Sequence, residues 1–262
     1  KNTELRIKRA TNLLEIETNY YIETGEYDKA LGVFQQAFEK LSQNGFITPT
    51  LYRKRGSIYT AKKDYQKAIE SYEKAFELYS LGVDEGFPRS LFSTAYFLQN
   101  GYGVTQDLEE AFLRYEEAAA LGHNDAICAL GECYEYGQGT RQDFQRALHY
   151  YEKAAYEGNS LAKYKLGRFY DLGYGCNENY QKAFHWYQEA AKDGLEVAIT
   201  AMATCYEFGR GIEKDSQKAL EYYLKAANMG YMNAQFCLGY FYEMHSEYPE
   251  SEKIGHKRQG IV

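Results

Sequence analysis

A 36-residue period constrains this chain more than any other feature. Four Gly-x-Gly turns keep that step: Gly101-Tyr102-Gly103, Gly137-Gln138-Gly139, Gly173-Tyr174-Gly175 and Gly209-Arg210-Gly211. Other series share the register: Ala126, Ala162, Ala198 and Ala234; Tyr134, Tyr170, Tyr206 and Tyr242; Ala111, Ala147, Ala183 and Ala219. Alanine pairs run from Ala118-Ala119 to Ala226-Ala227, and Gly86, Gly122, Gly158, Gly194 and Gly230 close the units. A fixed period of this length marks an array of small supersecondary units rather than one globular core.

Each unit reads as two helices. The first spans about 126–136, with Ala126, Leu130 and Tyr134 at i, i+4 and i+8 on one face. Gly137 and Gly139 follow it, where glycine takes the positive φ that ends a helix. The second helix begins after Asp107, Asp143, Asn179 or Asp215, whose side-chain oxygens accept a hydrogen bond from a free backbone N–H. Within "DFQRALHYYEKAAYEG", Phe144, Ala147, Leu148, Tyr151, Ala154 and Ala155 form one stripe. Upstream, "LYRKRGSIYTAKKDYQKAIESYEKAF" places Gly56, Tyr59, Tyr65, Ala68, Tyr72 and Ala75 in the same roles with a shorter turn. An earlier copy, "YYIETGEYDKALGVFQQAF", uses Tyr21, Gly25, Tyr27, Ala30, Phe34 and Ala37. Between the two copies, Thr48 before Pro49 is expected to open a helix.

These residues resemble two repeat families. Residues about 11–83 are similar to two tetratricopeptide repeats. Residues about 90–250 resemble Sel1-like repeats, whose pattern "AICALGECYEYGQGTRQDFQRALHYYEKAAYEG" matches at nearly every position. The third copy has Asn179 in place of the capping aspartate, the fourth has Met202-Ala203 in place of Leu-Gly, and the first is degenerate around Thr94, Ala95 and Leu98. The resemblance implies an all-α fold: a right-handed α-solenoid superhelix of stacked antiparallel helix pairs, with the first helix of each pair lining a concave face. The expected divisions are 1–84 for the tetratricopeptide-like repeats, 85–250 for the Sel1-like repeats and 251–262 for a degenerate cap or tail. Past Glu243 the pattern fades, with His245 and Glu247 at the glycine places, Ser251 at the cap and Gly255 at an alanine.

Several function classes fall away on chemical grounds. A dinucleotide loop needs G-x-G-x-x-G between a strand and a helix, whereas these turns follow a helix and lack the third glycine. Cys128 and Cys133 lie about 140° apart on one helix, and His149 and His185 have no matched third ligand, so no metal site is expected. No nucleophile elbow, zinc-protease motif or kinase signature is present, so the chain reads as a non-enzyme that needs no cofactor. A net charge of −7 argues against nucleic-acid and anionic-membrane surfaces. No apolar run reaches the roughly 20 residues of a membrane helix. Cys128, Cys133, Cys176, Cys205 and Cys237, an odd number without close pairing, read as reduced thiols in a cytoplasmic protein.

What remains is binding. The tyrosines at repeat positions, Tyr134, Tyr151, Tyr170, Tyr187 and Tyr223, are expected in the core. Groove positions carried over from the resemblance begin with Arg53 and Ser57, then Phe92 and Tyr96, then Cys128, Glu132 and Tyr136. They continue with Tyr164, Arg168 and Leu172, then Thr200, Thr204 and Phe208, and end with Phe236, Tyr240 and Met244. Aromatics with few charges suit a peptide-anchoring surface. The expected function is an interaction scaffold or adaptor holding a peptide or partner helix, with the acidic balance favouring a basic partner. An alternative is the regulatory or substrate-recruiting arm of a larger enzyme, which fits a chain that begins at Lys1 rather than at methionine. A third is self-association through the C-terminal repeat. Paired-lysine clamps for a terminal carboxylate are not evident, Lys54 and Arg55 being the only basic pair near the expected groove.

Overall fold

Capping and periodicity together set where each helix starts and stops. The computed structural model describes residue 14 and residues 16–43, 49–84 and 88–245. They form α1 (16–23), α2 (Tyr27–Gln43), α3 (Pro49–Ala61), α4 (Tyr65–Asp84), α5 (Pro88–Asn100), α6 (Leu108–Ala120) and α7 (Asn124–Tyr136). Then follow α8 (Phe144–Tyr156), α9 (Ser160–Leu172), α10 (Tyr180–Lys192), α11 (Glu196–Phe208), α12 (Ser216–Asn228) and α13 (Met232–Met244). No strand occurs among the described residues. Thr48, Gly86, Glu247, Ser251, Gly255 and the expected cap or tail at 251–262 lie outside them.

The chain divides into two compact units, Lys1–Gln142 and Asp143–Val262. In the first, consecutive helices from α2 to α7 pack on one another; in the second, consecutive helices from α8 to α13 do the same, and α11 also meets α13. This succession of antiparallel hairpins is the all-α repeat solenoid. The odd-numbered helices are the first members of the pairs and the even-numbered ones the second.

Both ends of the second helices follow local chemistry. Asp107, Asp143, Asn179 and Asp215 sit in extended backbone, and each side chain accepts an N–H two or three residues on, as Asp143 does from Gln145 and Arg146 at 3.0 Å. The far end of α6 closes with Gly122 N–H on the Ala119 carbonyl and His123 N–H on the Ala118 carbonyl, both at 3.0 Å. That is the double bond of a Schellman cap, and φ of +83° at Gly122 permits it. The Ala-Ala pair thus supplies the accepting carbonyls as well as a close-packing surface, in α8, α10 and α12 alike. The first helices begin two residues earlier than periodicity suggests, at Asn124, Ser160, Glu196 and Met232; His123 Nδ1 accepts the Ala126 N–H at 3.3 Å and Asn159 Oδ1 the Ala162 N–H at 2.9 Å, while Leu195 and Tyr231 give no side-chain cap.

The two glycines of each Gly-x-Gly turn do different work. The first takes the left-handed C-cap, as Gly137 does with φ of +68° and its N–H on Cys133 O. The second approaches main chain. A Cβ on Gly139 would lie 1.9 Å from Leu108 O at the start of α6, and one on Gly211 would lie 2.0 Å from Tyr180 O at the start of α10. The turn is therefore also the joint with the second helix of the preceding hairpin. A glycine inside the first helix makes room in the same way: a Cβ on Gly167 would meet the Tyr187 ring at 2.6 Å, and one on Gly56 the Tyr72 ring at 2.6 Å. Where Ala203 replaces that glycine it is fully buried in one cluster with Tyr223.

Alanine and aromatic side chains build the core. Tyr134, Tyr151, Tyr187 and Tyr223 are buried and Tyr170 half-buried. Aromatic edges meet faces along the second unit, as between Tyr151 and Phe169 at 5.1 Å and between Phe184 and Tyr206 at 5.5 Å. Such pairs add about 0.5–1.5 kcal/mol beyond the area they bury. Cys128, Cys133 and Cys205 are buried and Cys176 and Cys237 half-buried, all as free thiols. Burial pushes the Cys133 and Cys205 thiols up to about 12.

Two outcomes are expected. Gly139→Ala combines a left-handed φ with a main-chain clash and should cost about 3 kcal/mol or more, whereas Gly122→Ala, which faces open space, should cost about 1 kcal/mol. Thermal melts followed by circular dichroism distinguish them; equal losses would show that the close approach is not the constraint. Ellman titration of the native chain should label the half-buried Cys176 and Cys237 slowly, since burial raises both thiols, and Cys128, Cys133 and Cys205 only after guanidinium is added.

Candidate partner-binding face

The first helices end on exposed apolar side chains. Tyr136 closes α7, Leu172 closes α9 and Phe208 closes α11, and Tyr136 and Phe208 are 52% and 57% exposed. Each stands immediately before a C-cap glycine, so the turn that ends the helix also fixes where the side chain projects. Met244 holds the same place in α13 and is likewise exposed.

In the first unit, Tyr96 is exposed, and Arg53, Ser57, Phe92 and Glu132 are half-buried. Arg53, Phe92 and Tyr96 line a cavity of about 540 Å³ together with Arg89, His123 and Asp125. Phe92 stacks on the His123 imidazole at 4.8 Å, and Tyr79 shares a 3.4 Å hydrogen bond with Thr50 on the α3 side. Burial holds the His123 imidazole below its ordinary value, against the pull of Asp125 and with a smaller push from the Arg89 charge.

In the second unit, Tyr240 and Phe236 are exposed, the latter at 77%. Tyr164, Arg168 and Thr204 are half-buried. Tyr164 leans on Tyr187 with ring centroids 5.8 Å apart. Thr204 turns inward: its hydroxyl lies 3.2 Å from Thr200 O and 3.1 Å from the Tyr223 hydroxyl, so it braces the core. The rim carries ion pairs, Lys163 with Asp193 at 2.6 Å and Arg210 with Asp171 at 3.7 Å.

Two expected groove residues do not reach the surface. Every residue from Ala126 to Gly131 is buried, so α7 is covered all round there and Cys128 is 3% exposed. Thr200 is 8% exposed, with its hydroxyl on the Glu196 carbonyl of its own helix, and between Ala198 and Ala203 only Ala201 is even partly exposed. In α7 and α11 the exposed apolar side chains past these buried stretches are Tyr136 and Phe208 at the helix ends, whereas α13 is also open at its start, with Met232 and Phe236 exposed.

Another periodic series went unseen in the sequence. Gln99, Glu135, Asp171 and Glu207 keep the 36-residue step near the ends of the first helices. Tyr115 donates to Gln99 Oε1 at 2.7 Å and Tyr223 to Glu207 Oε2 at 2.7 Å. Tyr115 and Tyr223 thus satisfy their buried hydroxyls on the adjoining first helix. Burial holds the Asp171 carboxyl above its usual range, against the pull of Arg210. The signal was a carboxyl or amide recurring three residues after each groove position at Tyr96, Glu132, Arg168 and Thr204, masked by the change between Gln, Glu and Asp. Arg89, His123 and Asp125 were missed because they come from helix beginnings rather than from the repeat pattern.

Among the described residues no three His, Cys, Asp or Glu side chains are placed to hold a metal ion, and no helix is long and apolar enough to cross a membrane. His149 and His185 are exposed, each edge-on to its neighbouring aromatic, Tyr150 and Trp186.

Comparison with known proteins places these repeats. The Sel1 repeat profile matches residues 88–123, 124–159, 160–195 and 197–231, together just over half of the chain. A tetratricopeptide repeat profile matches residues 49–80. The chain is similar to a Sel1 repeat protein from Oxalobacter formigenes, with 30% identity over 87% of this chain and 89% of that one and a TM-score of 0.65. It is similar to a protective antigen of uropathogenic Escherichia coli strains displaying an SLR fold, with 25% identity, 96% and 53% coverage and a TM-score of 0.57. It is also similar to an immunity protein from Pseudomonas aeruginosa, with 25% identity, 77% and 74% coverage and a TM-score of 0.51. No curated protein matches. Repeat arrays of this type generally serve as protein-interaction scaffolds. The chain belongs to the Sel1 repeat family.

Proposed function

We propose that this protein is a non-catalytic interaction module that holds a peptide or partner helix against the open ends of its first helices. The supporting observation is the exposed apolar side chain that the repeat delivers at the end of successive first helices, Tyr136 in the first unit and Leu172 and Phe208 in the second. A solenoid otherwise places such residues in its core, and exposed aromatics of this kind are what peptide-binding faces use as anchors. Arg53, Phe92, Tyr96, Glu132, Tyr164, Arg168, Phe236 and Tyr240 complete the proposed surface, with Thr204 acting from behind it.

Site-specific photo-crosslinking tests this reading. A benzophenone amino acid placed at Tyr136 or Phe208 should give a discrete protein adduct in cells expressing the chain. The same group at Leu113 or Tyr156, exposed on second helices, should give none. Adducts from the second-helix positions alone would overturn the assignment of the face.

A further inference from the structure

The cavity in the first unit runs against the charge of the chain. The sequence carries a net −7, yet the cavity holds two guanidiniums, Arg53 and Arg89, and a single carboxylate, Asp125. Neither guanidinium makes an ion pair or side-chain hydrogen bond with another described residue. His123 is neutral near pH 7 in this setting; its Nδ1 is occupied by the Ala126 N–H, which makes Nε2–H the remaining donor. Phe92, stacked on that imidazole, adds an apolar wall.

We propose that this cavity takes the carboxylate side chain of an acidic residue inside a partner peptide, gripped by Arg53 and Arg89, with an apolar neighbour packed on Phe92. The proposal rests on the peptide-binding reading above and adds the chemistry of the partner. Guanidinium forks match a carboxylate with two parallel N–H···O bonds, a geometry lysine does not reproduce. A volume of about 540 Å³ accommodates more than one side chain. Tyr96 and Tyr136 remain exposed in the same unit, so a chain passing the cavity has further apolar contacts to make, which favours an internal residue over a chain terminus. Asp125 repels a second acid placed beside the first. The local rule is therefore one acidic residue next to an apolar one, opposite in sign to the basic partner suggested by net charge.

Selection of a displayed random-peptide library on the full chain tests this, followed by fluorescence polarisation with synthetic, C-terminally amidated copies of the enriched peptides. Enriched peptides should carry an acidic residue beside an apolar one. Arg53→Gln and Arg89→Gln should each weaken binding about tenfold. Replacing the peptide's Glu by Gln should weaken it comparably on the unaltered chain and scarcely at all on the double variant. Circular dichroism checks that the variants stay folded. Peptides without acids, binding indifferent to both arginines, or binding only to a free C-terminal carboxylate would each overturn the proposal. Peptides that ignore the arginines but are lost on Tyr136→Ala would leave the peptide-binding reading standing, whereas a library that yields no binder at all would sink both.

Discussion

The second glycine of each Gly-x-Gly turn lies against the main chain of the preceding hairpin, and the regularity of the array follows from that contact. Gly139 meets Leu108, Gly175 meets Phe144 and Gly211 meets Tyr180, each at the first residue of a second helix. Backbone against backbone is a stiff contact, with no side chain to give way, so it holds successive hairpins at one offset. Where the array changes type, Gly103 meets Tyr72 and Glu73 in the middle of α4 instead. The same turn thus joins a Sel1 repeat to a longer tetratricopeptide-type helix at a different register.

A fixed offset explains how a chain with so many aromatics keeps some of them on its surface. Tyrosines on the second helices enter the space left by glycine or alanine on the first, as Tyr187 does at Gly167 and Tyr223 beside Ala203, and Tyr115 and Tyr223 place their hydroxyls on Gln99 and Glu207. Those residues belong to the core. The side chain just before each C-cap glycine projects past the end of that core, and so Tyr136 and Phe208 stay exposed while Tyr134 is buried two residues away. Core packing and surface exposure are separated along a single helical turn.

Much of this was legible from the sequence because the fold's demands recur. A cap at Asp143, a stop at Gly158 and a paired alanine between them are local requirements, and four copies make them hard to mistake. The close approach at Gly139 was not legible, since a positive φ alone already accounts for a glycine there. Cys128 and Thr200 were misplaced because groove positions carried over by register take no account of how completely the first turns of α7 and α11 are covered. The cavity could not be seen at all: Arg53, Arg89 and His123 come from three helices, and only packing brings them together.

In the proposed mode of binding, partners engage the open ends of the first helices while the second helices hold the array. Hydrogen–deuterium exchange of the full chain, with and without a crosslink-verified partner, tests it most directly. Exchange should slow in the C-terminal turns of α5, α7, α9 and α11, with α6, α8, α10 and α12 unchanged. Protection confined to the second helices would contradict it.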